Sequence, residues 1–165
     1  MLILITGGAR SGKSRFAEKL AAAFENVVYI ATAQAFDDEM RDRIEKHRER
    51  RPPTWKTIEA PFDAHREIEK IQADCVLFDC LTVYLSNFLL RNEGSADEYF
   101  DRLLEAARKF KGTAIFVTNE VGSGIVPMNE LARKFRDLQG LTNQKFAATA
   151  DEVYICACGL PLRLK

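Results

Sequence analysis

Histidine is scarce in this 165-residue chain, which has only His47 and His65, so any imidazole chemistry is confined to two positions. An excess of either charge is missing too. Lys+Arg and Asp+Glu both number 24, and the resulting net charge of 0 argues against a general nucleic-acid binder, which carries a basic surplus. No apolar run approaches the roughly 20 residues of a membrane span. The opening residues form a strand pattern rather than a secretory leader, so the expectation is a cytoplasmic protein without a membrane span. Internal repeats and low-complexity tracts are absent. The four cysteines make no disulfide framework. Cys75 and Cys80 bracket an apolar strand. Cys156 and Cys158, two apart, are expected on one side of another strand, packing there rather than holding a metal. Otherwise the composition, 47% hydrophobic and 29% charged, is that of a soluble globular chain. Its length suits one domain, residues 1–165, with a substantial core.

What is present begins at once. Gly7-Gly8-Ala9-Arg10-Ser11-Gly12-Lys13-Ser14 matches G-x-x-x-x-G-K-[ST] at every fixed position. The apolar run Leu2–Ile5 precedes it as a strand, and Phe16, Leu20 and Phe24 follow at helical spacing. Glycines let backbone N–H groups approach phosphate oxygens, and a helix N-terminus adds partial positive charge. Lys13 can reach β- and γ-phosphates, and the Ser14 hydroxyl can hold Mg²⁺. The motif in this setting implies a nucleoside triphosphate site.

Further along, Val27–Thr32, Trp55–Ile58, Cys75–Asp79 and Thr113–Thr118 read as strands. Between them, Asp37 is placed to cap a helix running to about Arg50, ahead of Pro52-Pro53. Leu81, Tyr84, Leu85, Phe88 and Leu89 mark a second helical face. Phe100, Leu103, Leu104, Ala107 and Phe110 mark a third, and Leu131, Phe135 and Leu138 open a helix reaching about Ala150. Val153–Ala157 and Leu160–Leu164 are predicted to pair as a terminal hairpin about Gly159. The alternation predicts an α/β fold with a largely parallel sheet and helices on both faces. Ligands of such sheets bind at the carboxyl ends of strands, where the glycine loop, Ala31–Gln34, Asp79 and Asn119-Glu120 all fall.

Three groups could carry chemistry. Asp79 closes an apolar strand and can hold Mg²⁺ beside Ser14, although an aspartate there is also a common turn residue. His47 shares a helical face with Met40 and Ile44, among Arg43, Lys46, Arg48, Arg50 and Arg51. This cluster is either a solvated basic helix end or a triphosphate grip with an imidazole inside it. Cationic neighbours would favour the neutral ring that can attack phosphorus. His65 lacks such neighbours and is expected at the surface. Asn119–Pro127, polar and with two glycines, is either a site loop or a plain connection. Arg133 and Arg136 contact an anionic ligand or form surface ion pairs with Asp137.

Together these segments resemble the bifunctional adenosylcobinamide kinase / adenosylcobinamide-phosphate guanylyltransferase family of cobalamin biosynthesis. The matching stretches are GGARSGKS at 7–14, YIATAQAFDDEMRDRIEKHRERRP at 29–52, W-x-T-x-E at 55–59, FDCLTVYLSN at 78–87, TNEVGSGIVP at 118–127 and ARKFRDLQGLTNQ at 132–144. The resemblance implies a P-loop NTPase of RecA-like, three-layer form, assembled as a homo-oligomer, typically a trimer. It implies phosphorylation of the aminopropanol hydroxyl of adenosylcobinamide by ATP or GTP. It further implies transfer of GMP from GTP through a covalent histidine, which maps onto His47. The implied nucleotide contacts map onto Gly7, Gly8, Ala9, Arg10, Ser11, Gly12, Lys13, Ser14, Thr32, Ala33, Gln34, Arg48, Glu49, Arg50, Arg51, Glu59 and Asp79, with Mg²⁺ at Ser14 and Asp79. Two competing readings predict different observations. A single-activity kinase for another alcohol would carry no covalent nucleotide, and a RecA-like ATPase module would bind DNA.

Overall fold

The computed structural model of the chain describes every residue except Phe36, Asn92 and Glu93. Its elements run β1 (Leu2–Gly7), α1 (Lys13–Ala21), β2 (Val27–Ala31), α2 (Asp38–Glu49), β3 (Lys56–Glu59), α3 (Ala64–Ile68), β4 (Cys75–Asp79), α4 (Leu81–Arg91), α5 (Ala96–Lys109), β5 (Thr113–Val117), α6 (Glu130–Thr149), β6 (Glu152–Ala157) and β7 (Leu160–Arg163). The strands form one sheet in the order β3-β2-β4-β5-β1-β6-β7. All neighbours are parallel except β6 and β7, which make the predicted terminal hairpin.

Side-chain alternation divides the core in two. Leu4, Ile30, Phe78 and Phe116 face one side, under α3, α4, α5 and α6. Ile5, Tyr29, Leu77 and Val117 face the other, under α1. The first side is the larger and is rich in stacked and edge-on rings: Tyr84 lies 5.0 Å from Tyr99, and Phe116 5.0 Å from Phe146. Among the described residues, α1 is the one helix that contributes fully buried core residues to the second side, and the sheet's carboxyl edge beside α1 stays open.

Several local expectations change. The helical face of α1 that is fully buried consists of Ala17 and Ala21, while Phe16 and Leu20 are half-buried beside it. The helix ends at Ala21, before Phe24. The short α3 has no counterpart in the sequence reading, since five residues are too few to show a period. His65, expected at the surface, sits in that helix half-buried. Its Nδ1 is sealed off with no hydrogen-bond partner among the described residues, and burial holds the ring below its usual pKa. Cys158 does not share a strand face with Cys156. It lies past the end of β6, at φ 52° in the hairpin turn, and is exposed while Cys156 is buried.

Candidate active site

The loop between β1 and α1 wraps as the motif requires. Gly12 caps α1 at φ 94°, and the Lys13 Nζ folds back onto the Gly8 carbonyl at 3.0 Å. Side chains are excluded at two points. A Cβ on Gly7, at φ 151°, would sit 2.5 Å from the Cys156 carbonyl. One on Gly12 would sit 3.0 Å from the Gly159 Cα. The second contact shows that the hairpin turn backs the loop, and the Gly159 N–H donates to the Ser11 carbonyl at 3.0 Å. Ser11 is buried, whereas Gly8, Ala9 and Arg10 are exposed, Arg10 at φ 56°.

Beside the loop lies a cleft of about 560 Å³, lined by Lys13 and Ser14 on one flank. Tyr29 and Ala31 from β2, Asp79 from β4 and Asn119 after β5 form its floor. These residues converge because strand alternation puts them on the α1 face at the carboxyl ends of three neighbouring strands. Ala33, Gln34 and Glu59 line the cleft as well. Helix α2 supplies Met40, Ile44 and His47 on a shared stripe, as the four- and three-residue steps predict. Its N-terminus is capped as expected: the Asp37 carboxylate accepts from the Met40 N–H at 2.7 Å, an arrangement worth about 1 kcal/mol.

His47 and Asp79 meet across the cleft. The His47 Nδ1 is 3.7 Å from Asp79 Oδ2, and the two side chains are 26% and 13% exposed. The Tyr29 hydroxyl donates to the same Asp79 oxygen at 2.9 Å. Burial, with the Asp79 charge behind it, pushes the Tyr29 phenol far above its ordinary pKa, so it stays a donor. Arg51 lies over the Tyr29 ring at 3.8 Å and donates to the His47 carbonyl and the Thr57 hydroxyl. Arg50 Nη2 is 3.3 Å from His47 Nδ1 and 3.2 Å from Glu18 Oε1. Burial raises the Glu18 pKa, and Arg50 partly offsets that.

The remaining sequence-predicted residues sit differently. Arg48 and Glu49 are exposed on the outer side of α2's end and do not line the cleft. Thr32 is fully buried. Its hydroxyl accepts from the Cys80 N–H at 2.8 Å, and its carbonyl accepts from Asn87, so it ties the ends of β2 and β4 together. Arg133 donates to the carbonyls of Pro127 and Met128, bracing the loop before α6, while Arg136 pairs with Asp137. The Glu120 carboxylate accepts from Gly122 and Ser123 within its own turn. Tyr29 was not singled out from the sequence. Its only signal there was its place two residues before the carboxyl end of a strand, on the loop side.

Chemically, the arrangement offers a phosphate cradle, a lysine, two oxygen donors suited to a hard cation, and an imidazole facing a carboxylate. No cluster of three or more His, Cys, Asp or Glu occurs among the described residues. The two oxygen donors are Ser14 and Asp79, both lining the cleft. No helix among the described residues is long and apolar enough to cross a membrane.

Comparison with known proteins gives the family. Residues 3–164 match the family model described as cobinamide kinase / cobinamide phosphate guanyltransferase. The chain is 40% identical over 181 aligned residues to the bifunctional adenosylcobalamin biosynthesis protein CobU of Salmonella typhimurium, covering all of both chains. It is 46% identical over 166 residues to the bifunctional adenosylcobalamin biosynthesis protein CobP of Pseudomonas aeruginosa, covering 98% of this chain and 96% of that one. Among solved structures, the RadB recombinase superposes with a TM-score of 0.54 at 17% identity, over 93% of this chain and 73% of that one. That likeness speaks for the fold alone.

Proposed function

Because the chain belongs to the cobinamide kinase / cobinamide phosphate guanyltransferase family, and is therefore a bifunctional enzyme of adenosylcobalamin biosynthesis, we propose that both reactions run in the one cleft and that His47 carries the guanylyl group between them. In the first reaction the aminopropanol hydroxyl of adenosylcobinamide takes the γ-phosphoryl of ATP or GTP. The glycine loop and Lys13 hold the β- and γ-phosphates, and Mg²⁺ held by Ser14 and Asp79 supplies charge neutralisation there. In the second, the His47 imidazole attacks the α-phosphorus of GTP, forming a phosphorus–nitrogen bond as pyrophosphate leaves. An oxygen of the cobinamide phosphate then attacks that phosphorus and releases His47, giving adenosylcobinamide-GDP. Arg50 and Arg51 supply positive charge near the phosphates, with Ala33, Gln34 and Glu59 lining the rest of the nucleotide surround.

The observation that carries this reading is the approach of His47 to Asp79 over the glycine loop's cleft. A solvated helix end would have no reason to bring its one histidine there. The experiment is intact mass after incubation with GTP and Mg²⁺. Wild type and His65→Ala are expected to gain one GMP, labile in acid and stable in base, and His47→Ala none. His47→Ala should lose guanylyl transfer and keep more of its phosphorylation rate, since γ-phosphoryl transfer needs no imidazole. A wild type that never gains GMP while transferring it rules out the covalent route.

Exposed apolar side chains at Ile125, Val126, Met128 and Leu131 support a homo-oligomer, and the family resemblance a trimer. Light scattering should then return three times the chain mass.

A further inference from the structure

Asn119 stands two residues past the end of β5, the strand lying between β4 and β1. Its neighbours along the sheet edge are therefore Asp79 on one side and the glycine loop on the other. The backbone there is fixed: the Thr118 N–H donates to the Ile5 carbonyl and the Glu120 N–H to the Gly7 carbonyl.

A buried polar network in the opposite layer adds to this hold. The Asn119 N–H donates to Thr82 Oγ1 of α4 at 2.7 Å, and its carbonyl accepts from Asn143 Nδ2 of α6 at 3.0 Å. The Asn143 amide is itself oriented, because its Oδ1 accepts from Thr118 at 2.7 Å and from Gln139 at 2.9 Å. Thr82, Thr118 and Gln139 are all buried. Buried polar groups are costly to desolvate, and here they serve one main-chain unit. The side chain of that unit does the reverse. It lines the cleft, and its amide makes no hydrogen bond among the described residues. A rigidly placed amide with both ends unused, between a phosphate loop and a carboxylate, is built to meet a ligand.

An amide offers one acceptor and two donor hydrogens on adjacent atoms. A phosphate oxygen of the nucleotide needs only a donor. An alcohol beside a phosphoryl group needs an acceptor for its O–H and a donor for the phosphoryl oxygen, about one amide width apart. We propose that Asn119 is a substrate-contacting residue of the phosphorylation reaction, its Oδ1 accepting from the acceptor hydroxyl and its Nδ2 donating to the γ-phosphoryl. The inference rests on the functional reading above. Asn119 aligns the attack and takes no proton. The alcohol oxygen bonds to the γ-phosphorus, the bond to the β,γ-bridging oxygen breaks, and the hydroxyl proton passes late to an oxygen of the transferred group. In guanylyl transfer the acceptor is a phosphate, which brings no hydroxyl of this kind, so the acceptor end of the amide has no equivalent task.

The test uses the full chain and two assays: cobinamide with ATP, and chemically prepared cobinamide phosphate with GTP. Asn119→Ala and the near-isosteric Asn119→Asp are each expected to lower the kcat of phosphorylation at least about tenfold more than that of guanylyl transfer. Both variants should melt within a few degrees of wild type, since every hydrogen bond of residue 119 among the described residues is made by its main chain. A wild type that fails to phosphorylate cobinamide sinks the functional reading and this inference with it. A wild type that does both reactions, with variants whose two rates fall together or not at all, overturns the inference alone.

Discussion

At the scale of single residues, Asp79 has two neighbours that compete for a description of its role. A metal-holding carboxylate needs an oxygen turned to the cleft, and a histidine-orienting carboxylate needs one turned to the imidazole. Tyr29 bears on both, because its hydroxyl takes one lone pair of the Oδ2 that faces His47. A hydrogen bond to a charged group contributes about 1.5–3 kcal/mol. Removing it with Tyr29→Phe leaves the ring in place under Arg51, so the fold should be kept. We expect Tyr29→Phe to slow guanylyl transfer about tenfold through a mobile Asp79, and Asp79→Asn to slow both reactions by about 10² with a raised Mg²⁺ requirement. Titrating Mg²⁺ against both rates in both variants checks this. Unchanged rates in Tyr29→Phe would make its hydroxyl a mere satisfied core group, and unchanged metal dependence in Asp79→Asn would make Asp79 a turn residue.

At the scale of elements, the glycine loop depends on a hairpin more than 140 residues away in sequence. Gly159 donates to Ser11 and touches the space beside Gly12, from φ 81° in a turn whose other central residue, Cys158, is also left-handed. Gly159→Ala meets no atom within 4 Å but forces a side chain into that conformation, at about 1–2 kcal/mol. The turn can relax only by moving the loop's anchor. Gly94 offers a control, with φ 75° and equally open space, away from the cleft. The two variants are expected to lose similar thermal stability, and only Gly159→Ala to bind GTP more weakly, by about tenfold. Calorimetric titration and melting curves test this, and equal nucleotide affinity in the two would show that the hairpin carries no weight at the loop.

The same pair of elements marks how far the sequence could be read. The loop, its strand and its helix were legible because each obeys a local rule of spacing. The Asp37 cap and the His47 stripe were legible for the same reason. The terminal hairpin was legible as a hairpin, but its contact with Gly12 was not, since nothing local in either segment records the other. Asn119 was visible as a polar residue at a strand's end. What distinguishes it, its hold by Thr82 and Asn143, joins three elements by side chains that look like ordinary helix surface in the sequence. Alternation within a strand is reliable only while the strand lasts, so the expected shared face of Cys156 and Cys158 fails because β6 ends one residue before Cys158.

At the scale of the whole molecule, the unequal coverage of the sheet decides both where the cleft opens and which groups stay out of reach. Four helices close one face, while α1 closes only part of the other, and α2 stands over the gap with His47. Cys75, Cys80 and Cys156 lie within the smaller core on that second face, all under 10% exposed. Burial pushes the Cys75 and Cys80 thiols up to about 12 and raises Cys156 as well. At pH 8 a thiol of pKa near 12 is a thiolate in only about one molecule in 10⁴, and alkylation needs the thiolate. Cys158 alone is exposed. The native chain treated with iodoacetamide at pH 8 should therefore gain one label quickly by intact mass, and four only after unfolding. Cys158→Ser should gain none over the same interval. Cys80 lines the cleft, so it is the thiol through which a loosening of that side would first appear. A second label arriving at the rate of the first, and slowed by GTP, would mean that α1 and the glycine loop open together rather than forming the fixed half of the site.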